Sequence, residues 1–572
     1  MLRLLLFALI FLILSVHTNL YAQQTEIERY IEKTDKQIIP VWIYFKDKGP
    51  HSDTNLRKQT EYLTERAVTR RLKVRPAGQL YDYDDIPVNE TYINMLLPFA
   101  AKVRIRSKWL NAVSIDINRD DISELNRYEF IDRVTPVLGY QRNEPESGEV
   151  YEADRYRLPK GTGEIDYGSS ITQLAQIQVP VLHTDGLNGE GVLICMLDDG
   201  FAKYDQHIVF DSLKVMGTWD FINNDETVDD NDGSGKHGTK TLSTIAGYAQ
   251  GELIGPAYKA TFLLGKTEDD FGETPVEEDY WVAGLEWAEN QGADIVSSSL
   301  GYIDWYTPDD MDGVTAVTTI AADKAVNRGL IVVNSAGNEG FNASQNTLIA
   351  PADGKNVIAV GGVLADGTRW GGSSVGPTAD GRIKPDMAAM SSGVKVASDF
   401  TTTSFTTASG TSFSCPLVAG SIALLLQAFP DLTPAQVVNS LKATASQSHN
   451  PDKLLGWGIV NMTEAYNFAS WNYAGGGESP DLFLLGQNYP NPFNYFTVIR
   501  FSVVGESRVT IDLYDILGRK VRKLYDAVVS GRGSKTIYGN DLASGIYFYR
   551  IVAKDLVSGK ESSLTRKMIY VK

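Results

Sequence analysis

Val192-Leu193-Ile194-Cys195-Met196-Leu197 is an unbroken apolar run that ends in Asp198-Asp199-Gly200. Six apolar residues without polar alternation mark a strand buried on both faces, as in a parallel sheet. Outward from it, Ala293-Asp294-Ile295-Val296-Ser297, Leu330-Ile331-Val332-Val333 and Val357-Ile358-Ala359-Val360 repeat that character. Helical stretches lie between, such as Val276 to Glu289, where Trp281, Leu285 and Ala288 share one face. This alternation predicts an α/β domain over residues 166–470, a parallel sheet with helices on both faces. Such sheets meet ligands at the carboxyl ends of their strands, so the functional residues belong just past each strand.

Asp198 and Asp199 follow the first strand. Side chains alternate along a strand, so only one of them faces a given pocket; Asp198 is the choice and Asp199 the alternative. Lys236-His237-Gly238-Thr239 opens a helix expected to run to about Tyr248. Ser335-Ala336-Gly337-Asn338-Glu339-Gly340 follows the strand at 330–333, and Ser409-Gly410-Thr411-Ser412-Phe413-Ser414-Cys415-Pro416 leads into an apolar helix from Leu417 to Phe429. Ser412 falls near that helix N-terminus, where backbone N–H groups favour developing negative charge, and Pro416 is expected in the first helical turn. Singly, each has an ordinary reading: a turn-forming acid, a helix-start histidine, an Asn-Glu-Gly turn, an N-cap serine. Together they supply what nucleophilic acyl transfer needs: a hydroxyl, a base, an acid to orient the base, and oxyanion donors.

In the order Asp198, His237, Asn338, Ser412 the chain resembles the subtilisin-like serine proteases (subtilases, peptidase family S8), whose Asp…His…Ser order is known. Leu197-Asp198-Asp199-Gly200 is similar to D-[ST]-G, with Asp in the Ser/Thr place. His237-Gly238-Thr239 through Gly247 is similar to H-G-T-x-V-A-G-T, with Thr241-Leu242-Ser243 as a departure. Gly410 to Pro416 is similar to G-T-S-M-A-x-P, with Phe413 and Ser414 departing, and Ser374-Val375-Gly376-Pro377 through Lys384-Pro385-Asp386 matches as well. The resemblance implies Ser412 as nucleophile, His237 as general base and then acid, Asp198 as its partner, and Asn338 with the Ser412 N–H as oxyanion donors. It also implies that Ser299, Leu300, Gly301, Ala336 and Gly337 line the first substrate pocket of an endopeptidase acting on polypeptides. An α/β-hydrolase reading fails, for the residues come in the wrong order for that fold.

The chain has 572 residues, 43% hydrophobic and 22% charged, with a net charge of −18. Such an acidic chain has no global reason to bind nucleic acid. Two cysteines, Cys195 and Cys415, exclude a disulfide framework or a Cys-rich zinc site; they read as small buried hydrophobes, with a disulfide between them left open. Asp225, Asp229, Asp230 and Asp232 form an acidic loop lacking EF-hand order. It is read as a solvated loop, with structural calcium as the alternative, and no cofactor or catalytic metal is expected.

The two ends differ from the centre. Arg3 and the apolar run Leu4 to Val16 predict a signal peptide over residues 1–22, the run being too short to span a membrane comfortably. Residues 37–138, with strands at Val41–Phe45 and Ala112–Ile117, a basic helix at Tyr62–Leu72 and another at Asp121–Tyr128, form a small α+β unit. Its position resembles that of an inhibitory, fold-assisting propeptide, and a permanent accessory domain is the alternative. Residues 139–165 are the linker where processing is expected. A second linker at 471–480, with Gly475-Gly476-Gly477, precedes residues 481–572, which carry a balance of +6 against −24 for the rest. Period-two runs such as Ile499, Phe501, Val503 and Val509, Ile511, Leu513 predict a β-sandwich. Asn488-Tyr489-Pro490-Asn491-Pro492-Phe493-Asn494, Tyr514 to Arg519 and Leu542 to Tyr547 resemble the C-terminal sorting domain of type IX secretion. That resemblance implies passage through the periplasm, engagement of the type IX machinery, and a secreted or cell-surface product made as a precursor.

Overall fold

The computed structural model describes residues 27, 28, 30–50, 63–137, 151, 152, 165–229, 236–268, 278–303, 306–473, 483–485, 488 and 491–572. The signal-peptide stretch, most of both linkers, Asp230 and Asp232 lie outside the described residues. The chain divides into two units that meet between residues 463 and 464.

In the first unit, an N-terminal antiparallel sheet has the order β2-β3-β1-β4, built from β1 (Ile38–Phe45), β2 (Ala100–Ser107), β3 (Ala112–Asn118) and β4 (Ile131–Pro136). Helix α1 spans Glu65–Leu72, and the helix expected at 121–128 is a 3₁₀ segment over Arg119–Arg127. The α/β part follows: β5 (Leu193–Asp198), β6 (Lys214–Asp220), α2 (Lys236–Ala246), β7 (Thr261–Lys266), α3 (Glu278–Gln291), β8 (Ile295–Ser298), α4 (Val317–Val326), β9 (Ile331–Ser335), β10 (Ile358–Val363), β11 (Met387–Met390) and α5 (Thr411–Ala428). Seven parallel strands run in the order β11-β10-β9-β8-β5-β7-β6. This is the expected parallel sheet, and every residue of β5, β8 and β9 is buried. Helix α2 stops at Ala246, short of the expected Tyr248, and the chain turns at Gly247 into a short strand pair in which Tyr248 faces Ile254. Helix α5 is apolar on all sides and buried from Thr411 to Leu426, a central core helix.

The second unit is strand-rich. Strands β12 (Phe483–Leu485), β13 (Phe496–Asp515), β14 (Lys520–Tyr538), β15 (Gly545–Asp555) and β16 (Glu561–Tyr570) pair antiparallel, and β13 carries β12, β14 and β15. The alternating residues Ile499, Phe501, Val509, Ile511 and Leu513 point into one apolar core with Tyr549 and Ile551.

The N-terminal sheet and α1 are joined to α3 by buried charge. Asp279 accepts from Arg104 Nε at 2.8 Å and from Ser114, and Glu286 accepts from Ser107 Oγ at 2.6 Å and Trp109 N at 3.1 Å. Glu289 receives Arg70 and, at 2.8 Å, Arg71; all three side chains are essentially without solvent contact. Burial alone would raise the Glu289 carboxyl, but hydrogen bonds from Arg71 and the charges of Arg70 and Arg71 hold it below its ordinary value. Removing one partner of such a pair strands the other charge. Glu289→Ala is therefore expected to lower the unfolding free energy of the full-length chain by about 3–5 kcal/mol, read from equilibrium urea melts.

His183 supplies a pH handle. Its Nδ1 lies 2.9 Å from Tyr167 Oη and its Nε2 2.9 Å from Pro256 O. Burial is the main cause that lowers its pKa to about 4. The unfolded chain then binds more protons between pH 4 and 6.5, so stability rises with pH across that window and is lost on acidification. The span is about 3 kcal/mol. Thermal melts of His183→Gln should show a flatter dependence over the same range than the parent chain.

Candidate active site

The carboxyl end of β5 places Asp198 and Asp199 at the start of α2, and the two acids face different donors. Asp198 Oδ1 lies 2.6 Å from His237 Nδ1 and accepts from Asp199 N at 3.0 Å. Asp198 Oδ2 accepts from Thr241 Oγ1 at 2.9 Å. Asp199 turns the other way and caps α2, accepting from Gly238 N at 2.7 Å and His237 N at 3.2 Å. The close approach depends on Gly238, where a Cβ would sit 1.9 Å from Gly200 O. Because Nδ1 is held by a carboxyl group, the imidazole is oriented with Nε2 as its proton-accepting nitrogen. Asp198, Asp199 and His237 are grouped closely enough to suit a metal ion, but the carboxylate oxygens already accept N–H and O–H donors.

Ser412 is the second residue of α5. The helix begins earlier than expected, after Gly410 at φ 151°, a backbone region that glycine favours. Pro416 therefore lies inside the helix and not in its first turn. Its missing N–H leaves Ser412 O without the usual helical donor, and Ser299 Oγ takes that place at 2.8 Å. Ser412 Oγ lies 3.4 Å from Ser299 O. The Phe413 ring stands 5.9 Å from the His237 ring, which brings the imidazole against the turn that carries Ser412.

Asn338 follows β9. Thr411 N and Thr411 Oγ1 both approach its side chain at 2.9 Å. A backbone N–H can only donate, so the atom it meets is Oδ1, and the Nδ2 donor is directed away from Thr411. Leu300, Gly301, Ala336 and Gly337 are all buried on the neighbouring strand ends. Asp229 of the acidic loop accepts from Lys203 N at 2.8 Å, while Asp225 pairs its backbone with Asp220. Cys195 and Cys415 are free thiols; burial pushes Cys195 far up and Cys415 to about 12. Both are inert at neutral pH.

Sequence reasoning did not single out Thr241 as a partner of Asp198. The signal was present, since Thr241 is four residues beyond His237 on one helix and shares its face.

Three family models match the chain in succession: the Bacteroidota peptidase S8 propeptide domain over residues 40–149, the subtilase family over 189–458, and the secretion system C-terminal sorting domain over 487–570. Subtilisin NAT of Bacillus subtilis subsp. natto is 30% identical over 366 residues, covering 64% of this chain and 83% of that protein. Subtilisin DY of Bacillus licheniformis is 31% identical over 301 residues, covering 53% and 98%. Subtilisin of Bacillus pumilus is 32% identical over 294 residues, covering 51% and 97%. The chain belongs to the subtilase family. It is a serine-type endopeptidase with a propeptide and a sorting domain that marks it for type IX export, to the cell surface or beyond it.

Thr241→Val keeps the volume but removes the donor to a buried carboxylate oxygen. It is expected to cost about 1–3 kcal/mol in stability. Equilibrium urea melts of Thr241→Val beside the parent chain check the loss.

Proposed function

We propose that Ser412 Oγ attacks the carbonyl carbon of a peptide bond while His237 Nε2 takes its proton. The tetrahedral oxyanion is then held by Asn338 Nδ2 and the Ser412 backbone N–H, and its collapse releases the amine with the proton returned by His237. Water repeats the sequence on the acyl-enzyme, activated by the same imidazole. Asp198 keeps the imidazole in its working tautomer and stabilises the imidazolium. The observation that carries this reading is the 2.6 Å contact between Asp198 Oδ1 and His237 Nδ1 at the carboxyl end of β5. It is joined to the Ser412 turn through the Phe413 ring, and that turn is pinned to Asn338 by Thr411.

The polypeptide substrate lies along Ser299-Leu300-Gly301 by strand addition. The N-terminal domain, docked on α3, keeps the precursor silent until the chain is cut within residues 139–165. The C-terminal domain engages the type IX machinery after passage through the periplasm, and its +6 balance against the acidic remainder suits a separately recognised tag.

Labelling by an alkyl fluorophosphonate is expected for the processed wild type and is lost in Ser412→Ala; a wild type that never labels contradicts the reading. For Asn338→Ala the scale comes from subtilisin itself, where loss of an oxyanion-hole asparagine costs about 10²–10³-fold in kcat. The same order of loss, with KM little changed, is expected in progress curves on a chromogenic peptide.

A further inference from the structure

Beyond β8 and β9 two segments run side by side, Ser299-Leu300-Gly301 and Ala336-Gly337, and one side chain touches both glycines. A Cβ on Gly301 would meet Ile349 Cδ1 at 2.2 Å and Cγ1 at 2.4 Å. A Cβ on Gly337 would meet Ser374 Oγ at 2.7 Å and Ile349 Cγ1 and Cγ2 at 3.1 Å. The branched side chain thus fills the volume that both glycines leave open. Its backbone is held on each side. Ile349 N donates to Ala336 O at 3.3 Å, and the next residue, Ala350, exchanges two hydrogen bonds with Tyr302 at 2.9 and 3.2 Å. Ile349 is 6% exposed, Leu300 2% and Ala336 0%, so the space is filled by side chains that carry no charge. A β-branched side chain clamped in this way has little rotamer freedom to move aside.

We infer that Ile349 forms the floor of the pocket that receives the substrate side chain preceding the scissile bond, and that it restricts this position to small uncharged residues such as alanine and serine. The inference rests on the catalytic reading above. A peptide added as a strand along Ser299-Leu300-Gly301 projects alternate side chains to opposite faces. The side chain next to the attacked carbonyl then enters between the two glycine-bearing segments. A phenylalanine there would have to displace Ile349 from contacts with both walls, whereas an alanine methyl reaches only its surface. Leu300, Ala336, Ile349 and Ser374 also offer no counter-charge to a lysine or a glutamate.

The test is a series of peptide p-nitroanilides identical except at the residue before the cleaved bond. The wild-type protein, obtained by expressing the full chain, should show kcat/KM for alanine at least tenfold above phenylalanine, within the roughly 10–200-fold that a misfit in an apolar pocket supports. Ile349→Gly should shift the alanine-to-phenylalanine ratio by at least tenfold toward phenylalanine. Wild type that cleaves phenylalanine as well as alanine overturns the inference, and so does an Ile349→Gly ratio equal to the parent's. Should Ile349→Gly fail to fold, Ile349→Val takes its place: the removed methyl group should improve valine relative to alanine, and an unchanged ratio counts against the inference. Fluorophosphonate titration separates the two levels. Wild type that labels at Ser412 but lacks the small-residue preference sinks only the pocket assignment, and wild type that does not label sinks the catalytic reading and this one with it.

Discussion

A carboxyl group with no solvent contact is tolerated only where donors converge on it, and Asp198, 0% exposed, meets that condition. Its oxygens accept from the imidazole, from Asp199 N and from the Thr241 hydroxyl. These donors come from one strand end and the first turns of one helix. The position of α2 against β5 and the orientation of His237 are therefore the same constraint. Asp199 tightens it from the other side by capping the helix that presents the imidazole. The departure from the family's D-[ST]-G pattern thus has a structural use, and a hydroxyl reaches Asp198 from Thr241.

The second half of the site is locked by a different device. Pro416 deletes a helical donor, and the carbonyl it frees belongs to Ser412 itself. Ser299, from the strand end beside it, fills the vacancy. Thr411 meanwhile fixes the Asn338 amide. Three adjacent strand ends, after β5, β8 and β9, are so brought into register with the start of a core helix. None of these contacts needs a flexible loop, which suits a site whose work is preorganised electrostatics.

What could be read from the sequence was what local pattern carries. The apolar run 192–197 announced a doubly buried strand because parallel sheets leave no polar face. Asp198, His237, Asn338 and Ser412 stood out because each follows such a strand or opens a helix within a few residues. The contacts that were not legible are long-range ones. Arg70 and Arg71 looked like part of an ordinary basic helix, yet they are buried against Glu289, more than two hundred residues away. Ile349 lies in an unremarked loop, and only the folded chain brings it against Gly301 and Gly337. Pro416 was misplaced because the helix start depends on Gly410's conformation, which pattern alone does not give.

The most direct measurement is a crystal structure of the processed enzyme carrying a peptidyl phosphonate. The account predicts phosphorus bonded to Ser412 Oγ, its anionic oxygen on Asn338 Nδ2 and Ser412 N, and His237 still bound through Nδ1 to Asp198. Phosphorus on another nucleophile, or an imidazole that has left Asp198 and faces away from Ser412, would contradict it.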